Sequence, residues 1–491
     1  MLRGLSCAGW AIALAIAPAS AQTVFIADLR GASENPPVVS PAGGSALVLF
    51  DPAFQTMAVR TTFAGLTTST VDGHIHCCAP PTANAVVAVG FRPAGFPLGV
   101  TAGEFAATFN LNAAATYNGP FVTANGGTTA TARSALITGT QAGLAYVNIH
   151  TTRFPGGEIR GHLTASDQLS PQAYSLLPEA ALQTAEFQDN TIRRYLRDVR
   201  GAGNELGGQA ATLDDDGRVG MVLIAGGRSG EFEPRAGRPR VDLGSTGVLA
   251  GIDYRFAPGT LLGVMAGYDE SDVGLAPGSR KSHIASWFAG GYGSLALGPA
   301  YVDVHASYTR SDYDLFRRIA IGTFNAESVA DTDSEQWMVA ATAGFDFATS
   351  GFEIEPSAGV RYIDLDLDAF TEAGNIAALT IGGADVESLQ SIVGLRLGAD
   401  IPVGLVAVRP SIRGEWRHEF ENDDARIITG SFGGVAPFGF ATRPLGEDHA
   451  VVGAGLSLSG NGPLSLLADY TGQIGGGYEV HALTAGLRLR F

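Results

Sequence analysis

The sequence predicts an all-β chain: two β domains with opposite hydrophobic logic, joined by one helix. Three observations carry this. From about Arg218 onward, runs of ten or more residues alternate apolar and polar, the period of strands. Residues 22–165 hold shorter alternating runs separated by Gly, Pro, Asn and Asp. Beyond the first 21 residues, no stretch reaches the 18 or more apolar residues of a membrane-spanning helix.

Composition narrows the classes. The 491 residues leave room for two or three domains. Only 16% of residues are charged while glycine reaches 66, against roughly a quarter charged in an average soluble domain. A net charge of -17 argues against a nucleic-acid partner, which would want a basic face.

The elements follow in order. Arg3, the apolar run "CAGWAIALAIAP" and the small-residue "ASA" before Gln22 read as a secretory signal peptide over residues 1–21, which takes Cys7 with it. Cys77 and Cys78 then remain, too few for disulfides to be the main source of stability in a secreted chain. Residues 22–165 read as a small β-sandwich with no helical pattern, its strands including "SALVLFD", "TMAVRTTFAGL", "AVVAVGF", "ATFNL" and "LAYVNIHT". No repeat of 20 to 50 residues appears. Residues 166–215 form a linker with a helix over about 178–200, "PEAALQTAEFQDNTIRRYLRDVR". Pro178 opens that helix at a permitted position, and Arg193, Arg194 and Arg197 crowd its second half.

Residues 216–491 predict an outer-membrane antiparallel β-barrel. In "VAVRPSIRGEWRHEF", Val406, Val408, Ile412 and Trp416 alternate with Arg409, Arg413, Glu415, Arg417 and Glu419. Aromatics gather at strand ends (Tyr254, Phe256, Tyr308, Tyr362, Trp416, Phe420), as interfacial girdles require. Small residues and charges of both signs share the other face, which suits a narrow wet lumen. About twelve strands are expected, starting near Val219, Gly247, Thr260, Ser282, Pro299, Ser334, Phe352, Val386, Val403, Asp448, Pro463 and Tyr478. Segments 311–333, 368–385 and 421–446 are expected as long outer loops. "RYIDLDLDAF" is expected to shift parity after Tyr362, at a bulge or where it leaves the bilayer. The final run "HALTAGLRLRF" should pair with the first strand and so remove its own edge.

One cluster could carry chemistry. His74 and His76 stand at i and i+2, so both rings share one face of a strand, and His150 lies on another predicted strand. Three neutral imidazoles with an open position suit zinc or copper. The alternative is structural histidines tied to Glu158 or Arg160, which are themselves expected to pair. Cys77 and Cys78 form a vicinal disulfide or act as soft metal ligands. No G-x-S-x-G, Walker loop or Ser/His/Asp spacing is present.

Two resemblances extend this reading. Residues 215–491, with the strand count and the terminal "LRLRF", resemble the translocator domain of autotransporters (type V secretion). That resemblance implies an outer-membrane location and contact with lipid. It also implies periplasmic chaperones and the barrel assembly machinery as partners, the latter reading Phe491, Leu489 and Leu487. A pore helix would carry Arg193, Arg194 and Arg197 against lumen acids. Some members cut their passenger at paired asparagines; this helix has only Asn190, so the passenger is expected to stay attached. The blocks "FIADLRGASENPP", "FAGLTTSTVDGHIHCCAPP" and "AYVNIHTTRFPGGEIRGHL" resemble the CHRD (chordin-type) domain over residues 25–163, and its motif places all three histidines in matching blocks. A likeness of the H-x-H pair to copper–zinc superoxide dismutase stops there, because that enzyme's bridging ligand run is missing. The expectation is a non-enzymatic autotransporter displaying a CHRD-type domain at the cell surface to bind an unidentified extracellular ligand. Two alternatives stand: a copper- or zinc-dependent passenger using His74, His76 and His150, and a pore with a periplasmic N-terminal domain.

Overall fold

The computed structural model describes residues 23–169, 171–205, 218–233, 240–257, 259–274, 280–349, 351–422, 426–433, 437–442, 446–460 and 462–490. The signal-peptide segment, residues 206–217 of the linker and Phe491 of the expected assembly signal lie outside them.

The N-terminal domain is one nine-stranded sheet. Its strands are β1 (Thr23–Arg30), β2 (Gly43–Phe50), β3 (Thr56–Ala64), β4 (Thr70–His76), β5 (Val87–Gly90), β6 (Gly103–Asn110), β7 (Tyr146–Thr151), β8 (Ile159–His162) and β9 (Thr164–Ala165). They run in the order β5-β4-β7-β8-β1-β2-β3-β6, with β9 beside β1. The sheet curls until its two ends share one core, and Phe91 just beyond β5 stacks on Phe105 of β6 at 4.9 Å. The expectation of no helix here is corrected by α1 (Gly119–Ala124) and α2 (Thr129–Gln141). Their contact set is thin: Phe121, Ala132 and Leu136 reach the core, while Ala, Thr and Gly elsewhere blur the 3.6-residue period. Thr128 caps α2 by accepting from the Thr131 backbone N–H.

Helix α3 (Leu177–Glu205) then runs through a closed antiparallel barrel of twelve long strands. Closure comes from Val219–Phe232 pairing with Tyr478–Arg490 along nearly the whole first strand. Edge hydrogen bonds are therefore satisfied on every spanning strand. Valines and leucines such as Val304, Val339, Val360 and Leu487 face outward and exposed, while Arg361, Arg417, Asp303 and Glu415 are buried inward. Tyr268, Trp287, Tyr308 and Trp337 ring the outside near one end, with rings 4.5 and 4.9 Å apart in pairs. Tyr254, Phe256, Phe345 and Phe352 sit on the outside near the other. This is the lipid-facing band between two girdles.

Segment 311–333 is not a loop. Ala300–Ile321 and Phe324–Phe345 are 22-residue strands that continue past the girdle and turn at Gly322. Parity also does not shift after Tyr362: Ile363, Leu365 and Leu367 keep the inward face of Val386 and Ile284, and Asp364 and Asp366 keep the outward one. What changes is the surroundings. Below the girdle the outward face meets lipid; above it the outward face meets water and the inward face meets an apolar core. Segments 368–385 and 421–446 do leave the wall, and their strands Phe370–Thr371, Leu379–Ile381, Ile427–Phe432 and Phe438–Ala441 form a small sheet of their own.

On that platform sits the N-terminal domain. Ile26, Leu47, Leu49 and Ala58, on the outer face of β1–β3, belong to one buried cluster with Ile319, Leu365, Phe370, Ile376, Ile381, Phe432 and Phe440. The run "ALVLF" is thus apolar on both faces because both faces are covered. Arg60 adds a hydrogen bond to the Ile376 carbonyl at 3.4 Å.

Candidate metal centre and the filled pore

Alternation on β4 and β7 sets the site. Asp72, His74 and His76 project from β4, and Tyr146, Asn148 and His150 from β7, all to the outer face; Ile75, Val147 and Ile149 go to the core. Antiparallel pairing places His150 opposite Asp72 and Asn148 opposite His74. The histidines therefore meet: ring centroids lie 4.7 Å apart for His74–His150, 5.3 Å for His74–His76 and 6.1 Å for His76–His150.

Each ring is oriented through one nitrogen. His76 Nδ1 donates to the Ala85 carbonyl at 2.9 Å and His150 Nδ1 donates to the Pro155 carbonyl at 2.9 Å, while His74 Nε2 lies 2.9 Å from Asp72 Oδ2. The two carbonyls have no proton to give, so they fix the tautomers of His76 and His150. The other nitrogens, His74 Nδ1, His76 Nε2 and His150 Nε2, are buried without a hydrogen-bond partner. One ring nitrogen from each of the three histidines lies within 4.8 Å of the other two. Three such imidazoles would hold a zinc or copper ion and would leave a position open for a further ligand. Burial pushes His76 down to about 4 and also lowers His150, which keeps both imidazoles neutral and able to ligate. Carbonyl or carboxylate support of the non-ligating nitrogen is the usual companion of a metal-bound histidine.

The surrounding expectations divide. Glu158 and Arg160 do not pair with each other. Glu158 accepts from Ser40, the Thr67 backbone and Thr151 at 2.7–2.8 Å, while Arg160 donates to the Ser33 and Pro81 carbonyls and to Asn84. Neither holds a ligand histidine. Cys77 and Cys78 are bonded to each other and rest on Gly139 of α2, whose missing side chain makes room for both sulfurs. With their thiols joined, they are not among the ligands.

Sequence reasoning missed Asp72, Tyr146, Asn148 and Glu34. Asp72 was findable, because i−2 from His74 shares its face. Tyr146 stacks on His76 at 4.8 Å, and the Arg160 guanidinium lies 4.7 Å from its ring centroid. Glu34 arrives from the turn after β1, and only the closed fold brings it to Asn148.

In the barrel, α3 fills the lumen. Arg193 pairs with Glu415 at 2.8 Å, Arg194 with Asp469 at 2.7 Å, and Arg197 lies in the field of Glu355 and Glu415. The wall answers in kind: Arg417 meets Glu186 at 2.6 Å, and Arg361 meets both Glu186 and Asp189. The helix enters at the platform end, where Tyr174 bonds Glu372, and reaches the short-turn end, where Arg200 pairs with Asp303 and Glu355.

Residues 223–471 match the family model described as the autotransporter beta-domain, and residues 25–163 match the CHRD domain model. Among curated proteins, an extracellular serine protease of Serratia marcescens is 24% identical over 331 residues, covering 67% of this chain and 31% of that protein. Esterase EstA of Pseudomonas aeruginosa is 23% identical over 289 residues, covering 57% of this chain and 42% of its own. The chain thus spans less than half the length of either relative. Among solved structures, the translocator domain of autotransporter NalP from Neisseria meningitidis is similar at 18% identity with a TM-score of 0.48, covering 63% of this chain and 98% of that one. The beta domain of the Bordetella autotransporter BrkA is similar at 21% identity with a TM-score of 0.43, covering 56% of this chain and all of that one.

Proposed function

The chain belongs to the autotransporter family, and on that premise we propose that its outer-membrane barrel exports the CHRD domain, keeps it attached, and presents it outside the cell as a metal-binding module. The single observation that carries the metal half is the convergence of His74, His76 and His150, each with a buried ring nitrogen that has no hydrogen-bond partner. Zinc and copper are the ions whose ligand preferences this donor set meets. The export half is supported by α3 threading the lumen toward the first barrel strand, with the domain beyond its platform end. Retention is supported by the covered apolar face of β1–β3: a nick in the linker would still leave the domain seated.

The curated relatives, named as a serine protease and an esterase, are hydrolytic enzymes by those names. A catalytic passenger is the second reading, favoured here by the open position that three ligands leave at the metal. The open-pore reading is disfavoured by the helix and its ion pairs in the lumen.

Two measurements test this. Protease added to intact cells should reach the N-terminal domain and spare the barrel; a domain protected until the outer membrane is opened defeats the display reading. Metal analysis of purified protein should find about one zinc or copper per chain in the wild type and almost none in His74→Ala/His76→Ala. Equal, negligible metal in both defeats the metal reading. Chaperone and assembly-machinery contacts belong to the same proposal and follow from the barrel's family.

A further inference from the structure

We propose that Glu34 and Asn148 are the hydrogen-bonding half of the histidine centre, so that the site takes a small metal ligand that itself carries an O–H or N–H group. This rests on the metal reading above and adds the chemistry of what binds beside the ion.

The placement comes from the sheet. Asn148 is directly opposite His74 and two residues from His150 on the same face of β7. Directly opposed residues hold their Cβ atoms about 4.5–5.5 Å apart, so the amide borders the ligand set. Asn148 is 3% exposed and Glu34 is 7% exposed, and Asn148 Nδ2 donates to Glu34 Oε2 at 3.5 Å. The other two oxygens, Glu34 Oε1 and Asn148 Oδ1, are buried without a hydrogen-bond partner.

Both unpartnered oxygens converge on one spot. A Cβ at Gly157 would come within 2.5 Å of Asn148 Oδ1 and 2.6 Å of Glu34 Oε1. Gly157 has φ of +125°, which a side chain would not tolerate, so the bare glycine backbone packs close against both oxygens. It also lies in the loop whose Pro155 carbonyl orients His150. Leaving one buried acceptor unsatisfied is costly; two side by side call for a donor that both can share.

The chemistry of the pair fits a protic guest. Burial raises Glu34 to about 7, against the opposing pull of the Arg160 guanidinium. Arg160 is the charged group facing it, fully buried and engaged with Ser33, Pro81 and Asn84. When Glu34 is ionised, its Oε1 and Asn148 Oδ1 are both acceptors, and neither can satisfy the other. A ligand with oxygen or nitrogen on the metal and hydrogen toward Glu34 and Asn148 satisfies both halves. Water belongs to this class, and so do hydroxamates.

The test uses full-length protein in detergent, loaded with Co²⁺, with metal content measured in every sample. Visible absorption of the ion is titrated with acetohydroxamate, which ligates and donates, and with azide, which ligates and has no hydrogen to give. Asn148→Ala and Glu34→Ala should each weaken acetohydroxamate by roughly tenfold and leave azide unchanged or tighter. Glu34→Gln, which keeps size and an acceptor, should hold acetohydroxamate within about threefold and serves where the alanine variant fails to fold. If both ligands weaken together, or neither responds, the pair only supports the fold and the inference is overturned. A wild type that takes up no Co²⁺ overturns the metal reading beneath it, a distinct result.

Discussion

The two ends of the nine-stranded sheet share an inner face and differ in the outer one. At β1–β3 the outer side chains are Ile26, Leu47, Leu49 and Ala58, buried against the barrel's platform. At β4 and β7 they are Asp72, His74, His76, Tyr146, Asn148 and His150, gathered into the candidate metal centre. The inner sets, Phe25, Val48 and Val59 against Ile75, Val147 and Ile149, are interchangeable in kind. The inner face makes the fold, and the outer face gives each end its own role. One end holds on, and the other carries the proposed metal centre.

That division can be broken from either side. The largest effect is expected at the holding end. Leu47→Asp/Leu49→Asp puts two unpaired charges into an apolar contact, a cost above about 4 kcal/mol. The domain should undock, exposing the 166–176 linker to protease on intact cells while the barrel keeps its heat-resistant mobility on gels. A linker that stays protected removes the docked arrangement.

Next comes the binding end, through pH. Glu34 titrates near 7 in the fold against 4.5 as a model group, so the folded state holds its proton more tightly. Its contribution is fully present below about 4.5 and is lost as pH rises through about 7. Glu34→Gln mimics the protonated acid. In metal-free protein it should match wild type near pH 4.5 and exceed it by up to about 3 kcal/mol at pH 8, read from unfolding at both values. A gap that ignores pH removes the assignment.

Metal itself should follow in size. Zinc at a hundred times its dissociation constant adds about 2.7 kcal/mol, and chelator should abolish that gain. His76→Ala should show no gain at all. The smallest effect is expected on the inner face beneath the same end. Gly139→Ala drives a methyl into the Cys77 and Cys78 sulfurs and should cost about 1–3 kcal/mol without changing metal content. Lost metal in that variant would mean the two faces are not independent.

Much of this was legible in the sequence for a physical reason. Lipid on one side and water on the other impose strict alternation, so strand starts such as Thr260, Ser282, Phe352, Asp448 and Tyr478 are read correctly. Reading failed where a surface met something other than bulk solvent. Segment 311–333 looked like a loop because Asp312, Asp314 and Asp331 are outward on strands already clear of the bilayer. The platform contact was invisible because an apolar outer face resembles ordinary core until a partner is seen. His74, His76 and His150 were found because two share one strand and the third a second block; Glu34 was not, since its approach depends on a turn 114 residues away from Asn148. α2 was missed because alanine, threonine and glycine leave little amphipathic pattern.

The strands that outgrow the membrane have a consequence for reach. A 22-residue strand at about 3.4 Å per residue and a tilt near 40° stands about 57 Å tall, whereas the apolar band needs about 25 Å. The wall therefore rises as a palisade of roughly 30 Å above the hydrocarbon, and the docked domain crowns it. On the proposed reading, height of that order would carry the domain clear of the polar lipid layer, so a ligand for its histidines would come from the surrounding medium and need never touch the membrane.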